Sequence, residues 1–301
     1  MLGRGAGACA RADPFNLMRT PVPTAIRACP ACGEPGAARV GQENDWALAR
    51  CGRCGLRFTV EVPSDEQLGE LYDRLYSKGD AYQMHLDEIR RLEAGGREGA
   101  GVYRSLVFLR RYRPKPGDRL LEVGCGVGTF LVRAKARGWE AEGIDLSEQA
   151  IRASREVHQM PVRVGSFFEL DFDQRSYAAI VAWEVIEHLP EPRRFLEKAR
   201  RLLRPGGVLA CSVPNEGAKV PYPAVRGPAS VPPVHLNFWD RGALRAFFEL
   251  NGFALERMIT HRTMNSVADP RDDPVRFARL QLGALVGAYE GIHLYAAARA
   301  R

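Results

Sequence analysis

Beyond Asp118 the chain alternates between two hydrophobic periods. Short apolar runs of strand length lie near 119–123, 139–144, 161–164, 177–182, 207–213, 253–260 and 292–299. Between them apolar residues recur at helical spacing near 129–137, 147–158, 192–203, 240–250 and 271–286. Strand and helix in this order predict an α/β domain over 118–301, its largely parallel sheet covered on both faces. The helix ends have local causes: Ser147 and Asp240 are N-cap residues, Arg204-Pro205-Gly206-Gly207 stops the helix near 192–203, and Gly252 follows the one near 240–250.

Upstream the pattern changes. After the cap signal Ser64-Asp65, Leu68, Leu71, Tyr72 and Leu75 recur at helical spacing. A Gly95-Gly96 break then precedes a second helix with Leu106, Phe108 and Leu109, and Pro114, Pro116 and Gly117 close the section. Residues 61–117 therefore read as a helical linker or lid, and residues 1–28, which lack periodicity, as a mobile tail. Residues 217–234 hold five prolines and read as a loop of the length often used for lids or ligand binding.

Composition adds two exclusions. A hydrophobic content of 46 % and a charged content of 26 % are those of a globular protein, and no apolar stretch approaches the roughly 18 residues of a membrane span. The first 28 residues lack the apolar core of a secretion signal, so a cytoplasmic location is expected. The net charge is +7, but the 38 arginines and five lysines are spread along the whole chain, whereas nucleic-acid binders concentrate charge on one face or tail. That balance argues against a nucleic-acid partner.

Four of the seven cysteines form two C-x-x-C pairs, Cys29/Cys32 and Cys51/Cys54, with 18 residues between Cys32 and Cys51. Each pair aims two thiolates at one point, and Gly33 and Gly55 relieve the tight turn that follows. Two such turns give the tetrahedral sulfur set that Zn2+ prefers, with no position left for water, so the metal is expected to be structural. The pattern over 29–60 resembles a zinc ribbon. Trp46 and Phe58 are expected to pack beside the metal, because so small a unit cannot bury enough apolar area unaided. Cys125 and Cys211 read as small apolar residues.

The most specific chemistry lies in Glu122-Val123-Gly124-Cys125-Gly126-Val127-Gly128, which joins the first strand of the α/β region to its first helix. Alternate glycines let the backbone approach a ligand where side chains would collide, and the next strand ends in a carboxylate, Asp145, suited to the two hydroxyls of a ribose. The order E-x-G-x-G-x-G differs from the G-x-G-x-x-G of dinucleotide sites. It resembles motif I of the class I S-adenosylmethionine (SAM) dependent methyltransferases. Glu184-Val185-Ile186-Glu187-His188-Leu189-Pro190, Arg204-Pro205-Gly206-Gly207, Ser212-Val213-Pro214-Asn215 and His235-Leu236-Asn237-Phe238-Trp239 match that family's later motifs, closest to its ubiquinone-pathway O-methyltransferase branch.

The resemblance implies a Rossmann-like, doubly wound seven-stranded sheet with SAM as cofactor. It implies that Glu122 orients the loop and lies near the cofactor's amino group, that Gly124, Cys125, Gly126 and Gly128 run along its methionine part, and that Asp145 holds the ribose. Ser166 and Phe167 lie on the adenine side, where relatives often carry an aspartate at the position of Ser166, so that its bond is either weaker or replaced by the Phe167 amide, and Leu146 and Trp183 complete the cofactor-binding set. Glu184, His188 and His235 are the candidate catalytic residues, His188 as a base. The structural alternative is that the E-x-x-E-H run caps the next helix and pins the loop. The same run, Glu184, Glu187 and His188 with His235, is also a candidate Mg2+ site, as in some relatives. Tyr72, Tyr76 and Tyr82 are candidate lid residues. The implied function is methyl transfer to a small-molecule acceptor, most simply a hydroxyl. An RNA methyltransferase gripping its substrate with the ribbon, a C- or N-methyltransferase of a sugar or natural product, and a SAM-binding scaffold without turnover are the alternatives.

Overall fold

The computed structural model describes residues 26–64, 102–218, 230–260 and 291–301, and Gln67, Val275, Ala278 and Leu282 singly. Residues 1–25 of the expected tail, the tyrosines at 72, 76 and 82, the helix near 271–286 apart from Val275, Ala278 and Leu282, and positions 219–229 of the proline-rich loop lie outside the described residues. The elements in chain order are β1 (Ala38–Glu43), β2 (Trp46–Arg50), β3 (Arg57–Thr59), α1 (Val102–Arg111), β4 (Arg119–Val123), α2 (Thr129–Lys135), β5 (Glu140–Asp145), α3 (Glu148–His158), β6 (Val162–Val164), β7 (Tyr177–Trp183), α4 (Pro192–Leu202), β8 (Leu203–Pro214), β9 (Asn237–Phe238), α5 (Arg241–Leu250), β10 (Phe253–Thr260) and β11 (His293–Ala300).

Seven strands form one sheet in the order β10-β11-β8-β7-β4-β5-β6. Pairing is parallel from β6 to β8, and β11 runs antiparallel to both β8 and β10. Successive residues of a strand face opposite sides, and the sequence uses both. On β7, Ile180 and Ala182 join the layer of α4 and α5, with Phe195, Leu196, Phe247 and Phe248. Ala179 and Val181 join the layer of α1, α2 and α3, with Phe108, Leu131 and Ile151. Apolar side chains on both faces explain why the strands read as continuous runs. The chain leaves β4 in one direction through β5 and β6 and returns on the other side through β7 and β8. The carboxyl ends of β4 and β7 therefore flank a topological switch point, where ligands of open α/β sheets bind.

The Ser147 and Asp240 caps form as read: their side chains accept from the Ala150 and Ala243 amides at 3.2 and 2.7 Å. One boundary differs. β8 starts at Leu203, so Arg204-Pro205-Gly206-Gly207 lies inside the strand. There the register against β7 slips between Tyr177 and Ala179, and Gly206 takes φ 74°. A bulge absorbs the proline and glycines that otherwise signal a turn. No helix among the described residues is long and apolar enough to cross a membrane.

The second sheet, β1-β2-β3-β9, changes the picture of the N-terminal segment. Its first three strands come from the cysteine-bearing residues. Its fourth, β9, comes from the α/β domain, with Phe58 opposite Asn237 and Arg57 opposite Phe238. The ribbon is built into the main domain, and its cysteines share one hydrophobic cluster with α4, α5 and the large sheet.

Candidate functional site

β4 ends by delivering Glu122 and the glycine loop to the switch point. Gly124 has φ 71° and Gly128 φ 81°, conformations that L side chains rarely adopt, and a Cβ at either would lie 2.5 Å from Val185 Cγ2 or Ser154 Oγ. Gly126, φ 52°, has open space where its Cβ would be. The outer glycines are thus required by packing, and the middle one leaves room above the loop. Asp145, at the end of β5, accepts from the Gly126 amide and the Ser147 amide, both at 2.8 Å, and so fixes the loop and the start of α3 together. Below the loop Glu122 is buried, and its Oε2 has no hydrogen-bond partner. Burial first, and the nearby Asp145 charge second, hold its carboxyl well above the usual 4.5. A buried carboxyl with an unpartnered oxygen beneath an open glycine loop suits a cationic group, because such an oxygen costs free energy until it is satisfied. These residues fit SAM, whose amino group is cationic.

The flanking positions divide into exposed and structural. Leu146 is 57 % exposed beside Asp145, an apolar surface open to a flat ring. Ser166 accepts from the Phe168 amide at 3.1 Å, so its hydroxyl already serves its own turn. The Phe167 ring is buried against Phe195, which leaves only its backbone amide for a ligand. That N–H has no partner among the described residues. Cys125 is buried and Cys211 lies inside β8, both as small apolar side chains. The Trp183 indole sits in an aromatic cluster, edge-on to Phe130 at 5.4 Å and stacked on Tyr295 at 6.0 Å.

The E-x-x-E-H run follows β7. Glu184 takes φ 56°, and its carboxylate meets His293 at 3.3 Å, turned toward β11. Glu187, His188 and His235 converge instead, with one ligand-type atom from each lying within 4.8 Å of the others. The imidazoles of His188 and His235 meet edge-on at 4.7 Å. His188 Nδ1 lies 2.8 Å from the Val234 carbonyl. A carbonyl only accepts, so Nδ1 carries the proton and Nε2 the lone pair. Burial pushes the His188 pKa below the usual 6.5, partly countered by the Val234 bond and the Glu184 charge, so the ring is neutral at neutral pH.

Two expectations change here. The run does not cap α4, whose N-cap is Glu191 with no side-chain cap bond. It pins the loop that follows β8, because the Glu187 carbonyl accepts from the Leu236 and Asn237 amides at 2.9 and 3.0 Å. The converging donors also do not suit Mg2+. That ion prefers oxygen ligands in an octahedron, whereas the cluster offers two imidazoles to one carboxylate, with Glu184 turned to His293.

The four cysteines come together as the spacing predicts. Cys29 and Cys54 Sγ lie 3.5 Å apart and Cys32 and Cys51 Sγ 3.6 Å, with all four within 4.8 Å. A tetrahedron with Zn–S bonds of about 2.3 Å has sulfurs about 3.8 Å apart, so the set fits Zn2+. The two knuckles are matched: Gly33 and Gly55 donate to the Cys29 and Cys51 carbonyls at 2.8 and 3.0 Å, with φ of 76° and 78°. The Cys54 hydrogen bond pulls Cys29 down to about 5, while burial pushes Cys32 up to about 11. Phe58 belongs to the thiols' cluster, whereas Trp46, also buried, begins β2 at the opposite end of the hairpin.

A methyltransferase-domain family model matches residues 88–257, more than half of the chain. An uncharacterised 37.1 kDa protein in transposon Tn4556 of Streptomyces fradiae is 28 % identical over 232 residues, covering 74 % of this chain and 60 % of that protein. A ubiquinone biosynthesis O-methyltransferase from Alkalilimnicola ehrlichii is 32 % identical over 110 residues, 34 % of this chain and 44 % of its own length. The chain thus spans 60 % and 44 % of the lengths of these two relatives. Among solved structures, phosphoethanolamine N-methyltransferase 2 of Haemonchus contortus, in complex with SAM, aligns with a TM-score of 0.56 at 15 % identity, covering 86 % of this chain and 70 % of that one. At that identity the likeness concerns the fold. On the family match over residues 88–257, this chain belongs to the methyltransferase-domain family, among the class I SAM-dependent methyltransferases.

Proposed function

We propose that the chain methylates a hydroxyl of a small-molecule acceptor, using SAM. The observation that carries the donor half of this reading is the buried Glu122 carboxyl, its Oε2 without a hydrogen-bond partner, below a glycine loop whose rim bears Asp145. Glu122 receives the cofactor's ammonium, Asp145 the ribose hydroxyls, and Leu146 with the Phe167 amide the adenine. SAM, when bound, supplies an electrophilic methyl group on a sulfonium that leaves as a neutral thioether.

His188 supports the acceptor half. Its Nδ1–H is held by Val234, which makes Nε2 the basic nitrogen, and burial keeps it unprotonated at neutral pH. Nε2 takes the hydroxyl proton as the new oxygen–carbon bond forms. His235, edge-on to His188, and Glu184 border the same carboxyl edge of the sheet. The name of the Alkalilimnicola relative favours oxygen as the acceptor atom. An RNA acceptor is disfavoured because the ribbon's charges are nearly balanced, four arginines against three carboxylates over 29–60, with Arg57 paired to Glu43 and Glu216 and Arg53 to Glu34. The reducing cytoplasm suits a site made of four thiolates.

The test is turnover of labelled SAM with a panel of small phenols and alcohols, and separately with transcribed RNA, followed by mass spectrometry of the product. We expect a methyl ether, and a loss of roughly 100-fold or more for His188→Gln with unchanged affinity for S-adenosylhomocysteine. Methylated RNA, or full turnover by His188→Gln, would overturn the reading.

A further inference from the structure

We propose that the ribbon is a strut for the His188 loop and that Asn237 is the positioning residue joining the two. The inference rests on the reading of this loop as the acceptor side. Asn237 is buried, 1 % exposed, and belongs to β9, the strand that the α/β domain gives to the ribbon sheet. Its side-chain Nδ2 donates to the Leu189 carbonyl at 2.7 Å and reaches the Ile186 and Glu187 carbonyls at 3.5 Å. One amide therefore gathers the backbone on both sides of His188. Its own N–H and that of Leu236 donate to the Glu187 carbonyl.

From Asn237 the path runs two ways. Toward the ribbon, Phe58 lies opposite Asn237, the Thr59 amide donates to the Leu236 carbonyl at 2.9 Å, and Phe58 shares a cluster with Cys29, Cys51 and Cys54. The seam is closed by Arg57, whose guanidinium lies 4.6 Å over the Phe238 ring and pairs with Glu216. Toward the site, Val234 and His235 immediately precede this anchored stretch, and the Val234 carbonyl sets the His188 tautomer. The ribbon is itself held on its other side. The Pro30 and Ala31 carbonyls accept from the Arg193 amide at 3.3 Å and from Asn251 Nδ2 at 2.8 Å, at the ends of α4 and α5. A metal that fixes both knuckles therefore fixes β3, then β9, then the ring of His188. Asp145 and its bonds to the Gly126 and Ser147 amides lie outside this path, which meets the glycine loop where Val185 packs beside Gly124, so cofactor binding should change little.

The experiment uses the full zinc-loaded chain and needs no acceptor. The ring nitrogens of His188 are followed by nitrogen NMR, assigned with His188→Gln and His235→Gln, alongside zinc content and calorimetric affinity for S-adenosylhomocysteine. In Asn237→Ala we expect zinc retained and affinity within about twofold. The His188 tautomer ratio should move roughly fivefold away from the Nδ1–H form, the effect of about one lost hydrogen bond. The double variant Cys51→Ser/Cys54→Ser, without zinc, should move it in the same direction. Unchanged His188 signals in Asn237→Ala would overturn the proposal, as would loss of S-adenosylhomocysteine binding in step with the tautomer change. If His188→Gln keeps full turnover, the base reading fails while this structural link stands on its NMR result.

Discussion

Glu122 and Asp145 show how two carboxyls one strand apart acquire different tasks. Asp145 accepts two backbone amides and organises the loop, whereas Glu122 is buried with an unpartnered oxygen. Because burial and the Asp145 charge raise the Glu122 pKa above 4.5, the cofactor-free fold holds a proton there that the unfolded chain releases. The sign follows from linkage: stability declines as pH rises from 4.5 through the raised value, and Glu122→Gln flattens that slope. A bound ammonium favours the ionised form, so S-adenosylhomocysteine binding in that pH window should release a proton. Calorimetry in buffers of different ionisation enthalpy measures it, and Glu122→Gln should abolish it. Their placement beside the glycine loop was legible in the sequence, because the spacing of strands, glycines and carboxylates marks it, whereas their ligand roles come from the resemblance. The division among Glu184, Glu187 and His188 was not, because it depends on Glu184 turning at φ 56° toward His293, a partner far along the chain.

At the level of elements, the glycine loop carries three glycines for two different reasons. An alanine at 128 would meet Ser154 Oγ at 2.5 Å with φ 81°, whereas one at 126 meets nothing within 4 Å. Gly128→Ala should therefore cost about 2–4 kcal/mol of stability, combining a left-handed backbone and an overpacked contact. Gly126→Ala should cost only about 1–2 kcal/mol but weaken S-adenosylhomocysteine binding more, since its methyl enters the ligand's space. Urea unfolding and calorimetry on both variants check this crossing of effects. Strands and helices of the α/β region were legible because each buries a periodic face and is capped locally, as at Ser147 and Asp240. The start of β8 was misread because a proline and two glycines carry a turn signal that neighbouring strands override with a bulge.

For the whole molecule, the cysteine spacing announced a metal ribbon but not its place. The two-residue strand β9 has no periodicity to read, and its pairing with β3 joins residues from opposite halves of the chain. Through it the N-terminal segment becomes part of the site's framework, with Arg27 donating to the Pro190 carbonyl at 2.9 Å and Asn44 to that of Pro232 at 2.6 Å. The ribbon and the sheet edge should therefore respond together to metal loss, while the donor site depends on β4 and β5. The central claim is that this donor site binds a SAM-type nucleoside through the glycine loop and Asp145. Calorimetric titration of S-adenosylhomocysteine into the zinc-loaded chain and its Asp145→Ala variant tests it most directly. Saturable one-to-one binding that weakens by about 100-fold in the variant, as loss of hydrogen bonds to a charged group requires, is the predicted result. No binding by the parent chain, or equal affinity in both, would contradict it.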